Sequence, residues 1–218
     1  FNNAGHVRIY SWDGSSWSQL GSDINGGGTD DRSGYSVSLD SDGDRVAIGA
    51  TEADGASSSF WNAGHVRIFS WDGSSWSQLG SDIDGEAADD DFGASVSLDS
   101  DGDRVAIGAY NNDGNGSDAG HVRIYSWDGS SWSQLGADID GEAAGDRSGY
   151  SVSLDSDGDR VAIGAIRNGG SFSDAGHVRI YSWDGSSWNQ LGSDIDGEAA
   201  GDRSGYSVSL DSDGDHIY

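Results

Sequence analysis

Three aspartates alternate through Asp40, Asp42 and Asp44 in the stretch "SLDSDGDRVAIGA", with a glycine between the last two. The triplet returns as Asp99, Asp101 and Asp103, as Asp155, Asp157 and Asp159, and as Asp211, Asp213 and Asp215. Alternating carboxylates on a tight loop are one way to gather the six to eight oxygens that calcium takes. The twelve-residue calcium loop found between helices closes with a bidentate glutamate, whereas the twelfth position here holds Thr51, Tyr110 or Ile166. An Asp-Gly hairpin turn accounts for the same residues with no ion. The expectation is a turn, with calcium as the cofactor to test against it.

Other residue types are weighed in the same way. The segment "DIDGEAAGDRSG" sets Asp138, Asp140, Glu142 and Asp146 close together, but its first copy replaces two of these acids with Asn25 and Gly27, so a solvated loop is expected. His6, His65, His121 and His177 each open the same strand, with His216 as a variant near the end. Repeat symmetry keeps these imidazoles apart, and no nucleophile, base or phosphate loop recurs with the spacing a mechanism needs, so the chain is not expected to be an enzyme. Eight tryptophans in paired "SWDGSSW" segments can stack on sugars or pack between repeats, and packing is the expectation. The connection before "AGHV" varies while the rest is nearly constant. Loops carry specificity on a rigid scaffold, so Phe60, Trp61, Tyr110, Arg167 and Phe172 are the candidate ligand contacts, with glycans as the ligand class. Asn115-Gly116-Ser117 is a glycosylation sequon in one such loop.

These residues sit in a repeat. "AGHVRI" begins at Ala4, Ala63, Ala119 and Ala175, spacings of 59, 56 and 56 residues, a period that points to propellers, solenoids or arrays. Each period holds four short segments in which Val, Ile and aromatics alternate with polar residues, bounded by Gly, Asp and Ser, so the reading is all-β with four antiparallel strands per repeat. With a turn at Asp42-Gly43, Leu39 faces Val46, Val37 faces Ile48, and Asp40 faces Arg45, where a mild surface ion pair is expected. For "WDGSSW", a four-residue loop sets Trp12 opposite Trp17 and a two-residue loop sets Tyr10 there; both remain open.

At this level "DFGASVSLDSDGDRVAIGA", Asp91 to Ala109, resembles the FG-GAP repeat of integrin α-subunit propellers and their microbial relatives, with Phe92-Gly93 as the "FG" and Gly108-Ala109 as the "GA". The other copies place Tyr35, Tyr150 or Tyr206 after the glycine instead. The resemblance implies a single β-propeller domain over residues 1–218, usually of seven blades in the family against about four repeats here. It also implies a calcium loop like D-x-D-x-D-G-x-x-D, from which this chain departs: its glycine comes early, before the third aspartate instead of after it, and the ninth position is Ile48, Ile107 or Ile163. In the family's blade phase the chain starts halfway through a blade and ends in the complementary half. The expectation is four blades, the last closed by pairing residues 5–24 with 205–218, with an open array as the rival.

Composition bounds the partners. The 34% hydrophobic content supports a core, and a net charge of −27 repels nucleic acid and anionic membranes. Every cation is arginine, cysteine is absent, and methionine is missing even at position 1, so the chain is expected to be a processed product or part of a longer one. The functional expectation is a non-catalytic extracellular or cell-surface module, structural or adhesive. Its partners would be further copies of itself or neighbouring segments of a longer fibrous chain, and the alternative is a lectin-like propeller, calcium-assisted or not.

Overall fold

The computed structural model describes residues 2–54, 61–170 and 172–218. The described residues are all β, in three repeated five-stranded antiparallel sheets preceded by two two-stranded ones, His6–Val7 with Ile24–Asn25 and Tyr10–Trp12 with Trp17–Gln19. The third sheet shows the plan: Ser148–Leu154, Arg160–Ala165, His177–Trp183 and Trp188–Gln190 lie in order, and the short Ile195–Asp196 adds to the upper end of the third strand. The other two complete blades run from Ser36 to Asp84 and from Ser95 to Asp140 on the same plan. β-branched residues of the second strand face a neighbour on both sides, so "RVAIGA" is buried almost throughout, while the fourth strand "WSQ" stays wet.

The hairpin registers follow the alternation. Val37 pairs with Ile48 and Leu39 with Val46. Trp12 pairs with Trp17 across the four-residue loop, because the Asp13 carboxylate accepts the Ser15 and Ser16 amides at 2.8 Å each and closes that turn. One expected contact is corrected. Asp40 and Arg45 face each other, but the guanidinium does not pair with the carboxylate; its Nη1 donates to the Gly102 carbonyl of the next blade at 2.9 Å, and Arg104 repeats this on Gly158 at 3.0 Å. The arginine is long enough to leave its own hairpin, where the Asp40 carboxylate already accepts the backbone amides of Asp44 and Arg45.

Blades stack through a contact that recurs three times. Trp76, Trp132 and Trp188 donate their indole N–H to the carbonyls of Leu20, Leu79 and Leu135 in the preceding blade, each at 2.9 Å. Each tryptophan pair lies over a glycine: a Cβ on Gly21, Gly80 or Gly136 would meet the indole carbons at 2.7 to 2.8 Å. Packing between blades is therefore what six of the eight paired tryptophans do. Nearer the inner strands, a Cβ on Gly49 or Gly108 would fall 2.1 Å from the carbonyl oxygen of Gly93 or Gly149 in the next blade. The first glycine of one blade and the second glycine of its neighbour thus touch backbone to backbone, which gives the glycines of "FG" and "GA" a steric reason.

The two partial blades do not pair. Among the described residues no hydrogen bond joins 2–25 to 205–218. A Cβ on Gly192 would meet nothing within 4 Å. Ile24, Ile83 and Ile139 are each 6% exposed, but the equivalent Ile195 is 43% exposed, and Trp17 is 67% exposed. Closure of the expected fourth blade is accordingly not seen among the described residues.

Candidate functional site

The Asp hairpins gather at one end of the inner strands, where Asp40, Asp99, Asp155 and Asp211 line a cavity of about 310 Å³ with the adjoining leucines and serines. Within each triplet the first carboxylate turns inward. Asp40 Oδ1 accepts the amides of Asp44 and Arg45 at 3.0 and 3.1 Å, and Asp155 does the same for Asp159 and Arg160. The other members, Asp42, Asp44, Asp101, Asp103, Asp157, Asp159, Asp213 and Asp215, are exposed, and Asp215 accepts from the Arg160 guanidinium of the preceding blade. The triplets thus close corners, and among the described residues they do not bring three ligand atoms together.

Burial has a measurable consequence at Asp99, which is 4% exposed. Burial, with Asp103 beside it, pushes its carboxyl up to about 6 from an ordinary value near 3.8. Because the folded value lies above the unfolded one, this group's contribution is complete below about pH 4 and is lost as pH rises through about 6. Asp99→Asn keeps an oxygen for the Arg104 amide, so it is expected to be more stable than wild type at pH 7 by about 1 to 2 kcal/mol. Urea denaturation at pH 7 and pH 4 checks this, and the gain should vanish at the lower pH.

The opposite end holds the variable connections. Four tyrosines meet there: Tyr110 and Tyr150 have ring centroids 5.4 Å apart, Tyr150 and Tyr206 5.1 Å, and the Tyr110 phenol is held up by burial first and then by Asp91, with Tyr35 also close. The second blade has Ala94 where the others have tyrosine, and Tyr110, from the following connection, takes the vacant position. Of the loop candidates, Tyr110 joins this cluster. Trp61 and Phe172 stand 65% and 49% exposed on different blades, and exposed Arg167 lines a shallow acidic pocket with Glu142 and Asp146. Phe60 lies outside the described residues. Asn115, the sequon residue, donates its amide to the Gly141 carbonyl at 2.7 Å, so sugar attachment there would cost that bond.

A third grouping crosses the blade junctions and was not expected from sequence. Glu86 from one blade approaches His121 and Asp138 of the next; Glu142 likewise approaches His177 and Asp194; His65, Asp82 and Asp84 form a variant where Gly27 stands in place of the glutamate. His121 and His177 are each 1% exposed, and neither ring nitrogen has a partner. Burial, reinforced by Arg123, pushes His121 down to about 4, and burial lowers His65 and His177 too. The signal was present as a constant spacing, Glu then His 35 residues on then Asp 17 further, but it has meaning only once the blade stacking is known. The acidic segment expected to be merely solvated thus supplies one wall of these groupings.

Comparison with known proteins agrees with the fold. Residues 82–125 match the family model "FG-GAP repeat". No curated protein matches the chain in sequence. A Bacteroides uniformis crystal structure provisionally named a 6-phosphogluconolactonase is similar at TM-score 0.61 with 11% identity, covering 88% of this chain and 49% of that one. Kuenenia stuttgartiensis hydrazine synthase is similar at TM-score 0.52 with 10% identity, covering 84% of this chain and 40% of that one. The chain spans half or less of the length of these structures, and at such identities the likeness is one of fold. Among the described residues no helix is long and apolar enough to cross a membrane.

Proposed function

We propose that the chain is a non-catalytic, extracellular or cell-surface structural module, a set of stacked blades whose two open faces take further blades of the same kind. One observation carries this reading. The leading face presents an unpartnered Trp12–Trp17 pair, and the trailing face presents Leu191, Gly192 and Ile195, the elements that receive such a pair at every internal junction. The faces are complementary but not alike, so they join head to tail and extend a ring or an array. The same arrangement supports the reading of four blades closed on themselves, with the partial blades as the missing halves.

Sedimentation velocity over a concentration series tests it. The chain is expected to associate with rising concentration, and the double variant Trp12→Ser, Trp17→Ser to remain monomeric with an unchanged circular dichroism spectrum. A wild-type chain that stays monomeric at every concentration would count against extension between copies. A second reading, carbohydrate binding, is favoured by the exposed tyrosine cluster, because pyranose faces stack on such rings. Saturable binding on a glycan array, lost in Tyr150→Ala, would support it over a purely structural role.

A further inference from the structure

We propose that the junction between the second and third blades is a site for a divalent transition-metal cation, held by Glu142, His177 and Asp194. One ligand atom from each of the three lies within 4.8 Å of the others. His177 Nδ1 is buried, lacks any hydrogen-bond partner, and faces Asp194 Oδ2 at 3.6 Å. A buried polar atom left so costs free energy, and a cation removes that cost by accepting its lone pair. The distance is apt. Ligand bonds of about 2.0 to 2.1 Å at tetrahedral angles put neighbouring donor atoms roughly 3.4 Å apart, so a small shift seats an ion between the imidazole and the carboxylate.

The surroundings of the three junctions select this one. At the second junction Arg123 donates to both Glu86 and Asp138, so a guanidinium already neutralises the carboxylates and repels a cation. At the first, Gly27 replaces the glutamate, Asp84 offers the third carboxylate from the same blade as His65 and Asp82, and the imidazole Nδ1 lies farther from its carboxylate, at 3.9 Å. At the third, Arg179 reaches Glu142 only at 3.5 Å, Asn168 reaches the other Glu142 oxygen at 3.5 Å, and Gln190 occupies Asp194 Oδ1 at 2.6 Å while leaving Oδ2 free. Asp140, Asp146 and Tyr181 complete the charged and titratable groups facing the imidazole and Arg179. One nitrogen and two carboxylates suit zinc and its neighbours, whereas calcium and magnesium prefer oxygen alone. Glu142 belongs to one blade and the other two ligands to the next, so the ion would staple the junction.

Isothermal titration of the chain with zinc chloride at pH 7.5 tests the site, with magnesium and calcium chloride run in parallel. The expected result is one saturable zinc site per chain, no comparable heat from the other two ions, and a zinc-dependent rise in melting temperature. Glu142→Gln, on a half-exposed side chain, and Asp194→Asn should each weaken zinc at least about tenfold, while His121→Gln should leave it unchanged. His177→Gln should abolish binding, and should it fail to fold, the two carboxylate variants decide. No zinc binding, equal binding of all three ions, or zinc affinity untouched by Glu142→Gln and Asp194→Asn would each overturn the proposal. None of these outcomes depends on whether the chain self-associates.

Discussion

Gly108→Ala is expected to destabilise the chain by about 3 kcal/mol or more, because the new methyl would lie 2.1 Å from the Gly149 carbonyl oxygen and 2.9 Å from its carbon. The obstacle is backbone, so no side chain can turn aside; the second and third blades must move apart. Moving them apart strips partners from Ile107, Val122 and Val152 at the interface. Urea denaturation monitored by tryptophan fluorescence measures the loss. A change below about 1 kcal/mol would mean that blades slide on one another freely, contrary to the interlocked junction described above. Gly73→Ala gives the control for position, since a Cβ there meets nothing within 4 Å, although its positive φ carries a modest strain of its own.

The second large effect is expected at Phe92, which is fully buried and packs in one cluster with Val66, Ile83 and Ile107. Phe92→Ala removes the largest fully buried side chain and leaves a cavity between two blades, at a cost of about 3 to 5 kcal/mol. Thermal melting should show a single transition shifted down by about 6 to 20 °C. A shift of only a few degrees would show that the neighbouring blade collapses into the space; serine stands at the equivalent positions Ser33, Ser148 and Ser204.

Much of this was legible beforehand because strand alternation and turn chemistry are local. The pairing of Leu39 with Val46 needed only a period of two and an Asp-Gly turn, and the stacking role of the tryptophans followed from their strict recurrence. What depended on two distant segments was not legible. The destination of Arg45 lies 57 residues away on another hairpin, and an exposed ion pair with Asp40 was the natural local guess. The tyrosines of the other copies also do not substitute for Phe92: the phenylalanine enters the core, whereas Tyr35 and Tyr206 stay half-exposed at the axial end. Alignment by eye cannot separate these fates, because the two positions flank a glycine, and its positive φ turns the chain between them. The His177 grouping needed three segments at once and the curvature that joins them.

The near identity of the blades creates a problem of addressing during folding. Any "HVRIYSW" hairpin can satisfy any "RVAIGA" strand, so nothing in the strands themselves says which blade should follow which, and transposed or exchanged hairpins between chains would lose little energy. The first connection is longer than the later two, and Ala94 in the second blade leaves a vacancy that Tyr110 alone fills, since Thr51 and Ile166 hold that place elsewhere. The aromatic cap at the axial end therefore works as a proofreading mark: it is complete only when the second blade carries its own connection.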